Sequence, residues 1–377
     1  MFSRRLQWDQ SRNRISERLE AYRQTGKPLL DLTGSNPTHA GFAWPSDLLA
    51  PLADERALAY DPDPRGLLSA REAVADYQQC STDQVLLTAS TSEAYSYLFK
   101  LLADAGEEIL APRPSYPLFD FLAALELVRI VPYPLFYDHG WSIDMAALEE
   151  AITDRTRAIV VVNPNNPTGS YLRASELAAL ERLCARHDLA LISDEVFADF
   201  ALTDGDSDRL LSVARGVDPK TTAFSLGGLS KACALPQLKL GWIVSNSPAA
   251  LGRLELIADT YLSVSTPVQM ALPKLLAGRH EIQRQILERL RANRQRVPGA
   301  LAVEGGWTAV IRVPRLESDE EFVLRLLDEE GVLVQPGFFY DFPTSTQAVV
   351  VSLLTPEADF AEGSQRMEAA VNRLLRG

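Results

Sequence analysis

Lys231 ends the run Ser225-Leu226-Gly227-Gly228-Leu229-Ser230-Lys231, which follows the apolar stretch Thr222-Ala223-Phe224 and precedes Lys239-Leu240-Gly241-Trp242. Lysine is scarce, six among 37 basic residues, so one held in a small-residue loop at a strand end is a candidate nucleophile. An amine stripped of water forms an imine with an aldehyde. A solvated loop lysine reads the same way in isolation. Two upstream motifs tip the balance: Asn163-Pro164-Asn165-Asn166-Pro167-Thr168-Gly169, and Ser193-Asp194-Glu195 at the close of an apolar run. Asn166 precedes Asp194 by 28 residues and Asp194 precedes Lys231 by 37, an ordered set far more specific than a lone Asn-Pro-Thr-Gly turn.

Short apolar runs alternating with helical periodicity must position these groups. Strands are expected at Gln84–Thr88, Glu108–Ala111, Leu127–Tyr133, Ala158–Asn163, Leu189–Asp194, Thr221–Ser225 and Leu240–Val244. Helices are expected between them at Glu93–Leu102, Met145–Ala151 and Ala174–Arg186. That alternation is the signature of βαβ units around a largely parallel, doubly covered sheet, an α/β fold. Ligands in such sheets bind beyond the carboxyl ends of strands, where Thr88, Asn163, Asp194 and Ser225 are expected. After Pro267 a long polar helix, Gly278–Arg296, leads to an α+β pattern. Its strands are Thr308–Val313, Gly331–Gln335 and Ala348–Leu353, and its helices Asp319–Glu330 and Phe360–Leu375.

Composition narrows the function classes. The 377 residues are 46% hydrophobic and 23% charged, as in a soluble globular protein. No apolar run approaches 18 residues, and the first nine residues lack the apolar core of a signal peptide. A net charge of −13 disfavours nucleic acid and anionic membrane as partners. Cys80, Cys184 and Cys233 show no CxxC spacing, which fits the cytoplasm, and His39, His139, His187 and His280 are too scattered for a metal cluster.

In these ordered motifs the chain, from about Asp31 to its C-terminus, resembles the class I/II aminotransferases, pyridoxal-phosphate enzymes of fold-type I similar to aspartate aminotransferase. The resemblance implies a large cofactor-binding domain, residues 48–274, and a small α+β domain, residues 1–47 and 275–377. It implies an aminotransferase moving an amino group between an amino acid and a 2-oxo acid. Lys231 would anchor pyridoxal 5′-phosphate and shuttle a proton, and Asp194 would pair with the pyridine nitrogen. Asn166 would bind the ring 3′-oxygen, and Tyr116 would wall the ring. Ser90, Thr91 and Ser92, with Ser230 and Lys239, would form the phosphate site, where a helix N-terminus offers free N–H groups. Tyr60 would reach the phosphate of a partner subunit, making the enzyme a homodimer. Gly34 would line the substrate pocket.

The chain departs from the family pattern in four places. Phe197 stands where a tyrosine usually donates to the ring oxygen, Gly228 where a serine is common, and Lys239 where an arginine is common. The largest departure is Val350, in Val349-Val350-Val351-Ser352, where the family's carboxylate-binding arginine belongs. Arg312 is a candidate substitute, with a surface strand arginine as the plainer reading. Phe338, Phe339, Tyr340 and Phe342 suit a substrate wall or a packing cluster equally. An elimination or decarboxylation on the same scaffold competes with transamination. A non-catalytic cofactor sensor ranks lower, because such regulators add a basic DNA-binding head.

Overall fold

Runs such as Thr156–Val162 and Glu108–Arg113 are buried along nearly their whole length, as strands covered on both faces must be. The computed structural model describes every residue except Met1, Gln7, Gln10, 204–207, Pro298, Thr344, Ser345 and Gly377. In it eight strands form one sheet. Their order is Val85–Thr88, Gly241–Ser245, Ala223–Gly228, Ala190–Asp194, Thr156–Val162, Glu108–Arg113, Arg129–Tyr137 and Trp141–Ile143. Five neighbouring strands, Ala223–Gly228 to Arg129–Tyr137, run parallel. Gly241–Ser245 is antiparallel to both its neighbours, and Trp141–Ile143 returns antiparallel at the edge.

The two-residue period of each strand divides its side chains between two cores. Ile109, Val160, Ile192 and Phe224 pack with Leu98, Phe99 and Leu254 of the helices Thr91–Leu102 and Pro248–Tyr261. Leu110, Ile159, Val161 and Leu191 face the other way, onto Leu177, Leu180 and Leu183 of the helix Ala174–His187. Each such fully buried aliphatic side chain contributes about 1.5–3 kcal/mol.

A smaller body surrounds a three-stranded antiparallel sheet, with Ala348–Ser352 between Thr308–Arg312 and Gln335–Pro336. Leu30–Asp31 pairs in parallel with Val332–Leu333, bringing the N-terminal segment back onto the C-terminal part. The first long helix, Arg14–Gln24, lies along Asp319–Glu330, with ion pairs from Arg14 to Glu320 and Glu321 and from Arg18 to Asp328. Exposed pairs of this kind contribute about 0–1 kcal/mol each. The burial of Ile15 and Tyr22 is the stronger hold.

The strand expected to stop at Ser225 continues to Gly228. Gly227 and Gly228 allow it, because a Cβ on Gly227 would lie 2.5 Å from the indole nitrogen of Trp242 and one on Gly228 3.1 Å from the carbonyl of Leu240. Ser225 is therefore inside the strand, its hydroxyl donating to Glu195 at 3.0 Å. The strand expected at Leu127–Tyr133 runs from Arg129 to Tyr137, with Leu127 in a left-handed turn at φ 62°. The run expected as one strand over Gly331–Gln335 splits between two sheets, as Val332–Leu333 and Gln335–Pro336.

Candidate active site

The carboxyl ends of Val85–Thr88, Thr156–Val162, Ala190–Asp194 and Ala223–Gly228 lie along one edge of the large sheet, and Gly241 pairs with both Thr88 and Gly228 there. The turn from Thr88 into the helix Thr91–Leu102 lies flat on Gly241. A Cβ at that position would come 2.8 Å from the carbonyl carbon of Ser90 and 2.9 Å from the nitrogen of Thr91. Ser90 caps the helix, its hydroxyl accepting the Glu93 amide at 3.2 Å. Glu93 reaches back to accept the Ala89 amide at 2.6 Å and the Ser263 hydroxyl at 2.7 Å. Among the described residues, the amides of Thr91 and Ser92 meet no acceptor and stand free at the positive end of the helix. Such an end holds an anion.

Lys231 lies on the single helical turn Leu229–Ala232, directly after the strand. Its Nζ stands 4.5 Å from the ring centre of Trp307 and 5.1 Å from that of Phe197. Burial lowers its pKa from 10.5 to about 8, and the negative charge of Asp194 opposes the shift without cancelling it. Part of the population is therefore a free amine near neutral pH. Asp194 ends its strand with its carboxyl held above the usual range by burial. The amide of Val196 at 3.2 Å, the hydroxyl of Tyr95 at 3.0 Å and Lys231 all pull the other way. An amine and a carboxyl, each shifted by burial and each feeling the other's charge, thus stand at the ends of two adjacent strands. Perturbed pairs of this kind cluster at functional sites.

Asn166 accepts the Thr308 hydroxyl at 3.4 Å, and the same hydroxyl reaches the carbonyl of Pro167 at 3.0 Å. The Asn-Pro loop thereby abuts the three-stranded sheet. Phe197 is buried, with its ring edge-on to Trp307 at 5.3 Å. Ser230 stands beside Lys231 and is partly buried, while Lys239 is exposed, at φ 51°, just before Leu240 and Gly241. Tyr116 follows the strand Glu108–Arg113 and is 47% exposed. Tyr60 is 82% exposed, so nothing in its own subunit covers the ring. The Gly34 carbonyl accepts the Ser352 hydroxyl at 2.6 Å, which ties the first segment to the strand bearing Val350.

Val350 is fully buried in a cluster with Trp141, Val310, Tyr340 and Phe342. Tyr340 and Phe342 therefore serve packing, Phe339 packs against the same cluster, and Phe338, which is exposed, contacts Phe339 edge-on. Arg312 is exposed and stacks on Tyr137 at 5.1 Å. It lies four residues along its strand from Thr308, about 13 Å at the usual rise, and so away from Asn166. Sequence reasoning passed over Tyr95 and Trp307. Tyr95 lies one helical turn past Thr91 on the helix that starts at the anion turn, a spacing that places it over the strand ends.

A lysine, a carboxylate and a helix N-terminus at the carboxyl ends of the strands of an α/β sheet occupy the place where such folds bind ligands. The chain belongs to the class I and II aminotransferase family, whose model matches residues 31–373. It is 30% identical to the alanine aminotransferase of Mycobacterium tuberculosis over 95% of this chain and 86% of that protein. It is 27% identical to the glutamate-pyruvate aminotransferase AlaA of Escherichia coli over 92% and 90%. The solved structure of the alanine aminotransferase from Pyrococcus furiosus superimposes with a TM-score of 0.87 at 25% identity, covering 99% of this chain and all of that one. The protein is an aminotransferase of fold-type I, and the family uses pyridoxal phosphate. Among the described residues, no helix is long and apolar enough to cross a membrane, and no group of histidine, cysteine or carboxylate side chains could hold a metal ion.

Proposed function

We propose that this chain exchanges an amino group between an amino acid and a 2-oxo acid, using pyridoxal 5′-phosphate held at Lys231, as a homodimer in the cytoplasm. The observation that carries the reading is the convergence of the Lys231 amine, with its pKa of about 8, and the buried Asp194 carboxyl beside free helix N-terminal amides. The donor set suits that group: an amine for its aldehyde, a carboxylate for its ring nitrogen and an anion site for its phosphate. When bound, the group supplies an electron sink for the substrate's α-carbon.

Lys231 would hold the group through its amine, and the same nitrogen would serve as the base that moves the substrate's α-proton. Asp194 would keep a proton on the ring nitrogen, and Asn166 would donate to the ring 3′-oxygen. Ser90, Thr91, Ser92, Ser230 and Lys239 hold the phosphate, and Tyr116 walls the ring. Tyr60 of the partner subunit completes the anion site, which its 82% exposure in one chain supports. Gly34 lines the substrate pocket. Residues 48–274 form the cofactor-binding domain, with 1–47 and 275–377 as the small domain.

The names of the relatives put alanine, glutamate and pyruvate first in a substrate panel. Purified enzyme mixed with each amino acid should release the matching 2-oxo acid in an amount equal to the bound cofactor. Cystathionine joins the panel as a carbon–sulfur substrate. Release of its thiol, or of carbon dioxide from any of the amino acids, without the matching 2-oxo acid would contradict the reading and favour elimination or decarboxylation.

A further inference from the structure

The segment carrying Lys231 is a helix of a single turn, Leu229–Ala232, and so short a helix leaves its last carbonyls unsatisfied from within. The carbonyl of Ala232 is met from outside. Gln283, buried on the helix Arg279–Arg294, donates Nε2–H to it at 2.8 Å. The other hydrogen of the same nitrogen goes to Asp199 Oδ2 at 2.6 Å. Asp199 lies five residues beyond Asp194, in the turn that follows that strand, and also accepts the Tyr77 hydroxyl at 2.8 Å. One amide nitrogen thus bridges the segment that bears the amine and the segment that bears the carboxylate.

We infer that Gln283 is a positioning residue for the reaction: its Nε2 fixes the Lys231 segment against the Asp194 segment and so sets where the amine stands. Both hydrogens of that nitrogen are committed, and no rotation of the amide keeps both bonds. Gln283 touches neither reacting group and acts through Ala232 and Asp199. The inference rests on the proposed attachment of the cofactor at Lys231. The basicity of a lysine nitrogen conjugated with an aromatic ring depends on the torsion between them. A displaced Ala232 backbone therefore registers in the pH midpoint of the bound cofactor's absorbance.

The test compares variants of the cofactor-loaded enzyme. Gln283→Met keeps the length and removes both donors. It should move the absorbance midpoint by about one pH unit and lower kcat about tenfold, with KM changed less than about twofold. Tyr77→Phe removes the other hydrogen bond to Asp199 without touching Ala232, and should lower the thermal midpoint while leaving the absorbance midpoint in place. Should Gln283→Met fail to fold, Asp199→Asn and Asp199→Ala replace it. Asparagine keeps an acceptor for Gln283 and should titrate like the parent, whereas alanine frees one end of the bridge and should shift the midpoint. A Gln283→Met or Asp199→Ala enzyme that titrates like the parent overturns the inference and leaves Gln283 a structural residue. If borohydride leaves no label on Lys231 of the parent enzyme, the attachment reading itself has failed. A labelled Lys231 with unmoved midpoints refutes only the positioning role.

Discussion

Around Lys231 the chain keeps ionisable groups out of water and only partly paired. The amine has aromatic faces at 4.5 and 5.1 Å, the Asp194 carboxyl holds one hydroxyl and one amide, and the nearest helix end has unused N–H groups. Around Val350, in the smaller sheet, the opposite holds. A position where the family pattern has an arginine is occupied by a fully buried valine among Trp141, Val310, Tyr340 and Phe342. Desolvated charge is costly, so a fold retains it only where something over-determines it. The first region carries that cost, and the second has shed it. On the proposed reading, the charged pair at Lys231 and Asp194 serves the cofactor, and the strand Ala348–Ser352 offers no charged side chain at Val350 for a substrate carboxylate.

The sharpest way to break the comparison is to put the charge back. Val350→Arg would bury a guanidinium with no counter-ion in the apolar cluster and should cost about 3–5 kcal/mol, read from urea unfolding. A stable variant with a tenfold lower KM for alanine would mean that position 350 faces the substrate after all. Removing charge from the other region should act on turnover instead. Asp194→Ala should lower kcat by about 10²–10³-fold, the scale of a lost electrostatic contact to a reacting centre, while Asp194→Glu retains more activity. Near-parent kcat in the alanine variant would dismiss Asp194 as the ring-nitrogen partner.

The two smaller effects concern pH. Burial holds the Lys231 pKa at about 8, below its ordinary 10.5. Between those values the unfolded chain binds more protons than the folded one, so the stability of cofactor-free protein rises with pH across that window. Below about 8 the full cost of the desolvated ammonium is present. Cofactor-free Lys231→Met should therefore be more stable than the parent by on the order of 1–3 kcal/mol at pH 7, and the gap should close towards pH 10.5. A gap that is constant with pH would show that the amine is solvated. Tyr95→Phe removes the hydroxyl that favours the charged form of Asp194. Its carboxyl should titrate at higher pH, which moves the acid limb of the kcat profile upward and weakens cofactor binding by about 1 kcal/mol. An unmoved acid limb would remove Tyr95 from the site.

Seven of the eight strands of the large sheet were legible, most of them as compact aliphatic runs closed by a polar or small residue, and the site lysine, carboxylate and asparagine fall at or just past those runs. The edge strand Trp141–Ile143 was not expected, because three residues carry too little pattern. Ser225 misled because Gly227-Gly228 reads as a strand breaker. The contact with Trp242 that makes those glycines necessary comes from a neighbouring strand and is invisible locally. The antiparallel setting of Gly241–Ser245 is likewise decided by what it lies between. Tyr95, Trp307 and Gln283 were missed. Trp307 and Gln283 act from segments distant in sequence with no local spacing that marks them. Tyr95 carried a local signal in its helical spacing from Thr91, and only its contact with Asp194, 99 residues on, is invisible locally.

Lys231 as the covalent anchor is the claim on which the other roles depend. Reduction of the purified, cofactor-loaded enzyme with borohydride, followed by proteolysis and mass analysis, tests this most directly. The prediction is one modified peptide, carrying the reduced cofactor on Lys231, and no stable label in Lys231→Ala. Label on Lys239 or Lys100, or label undiminished in Lys231→Ala, would contradict it.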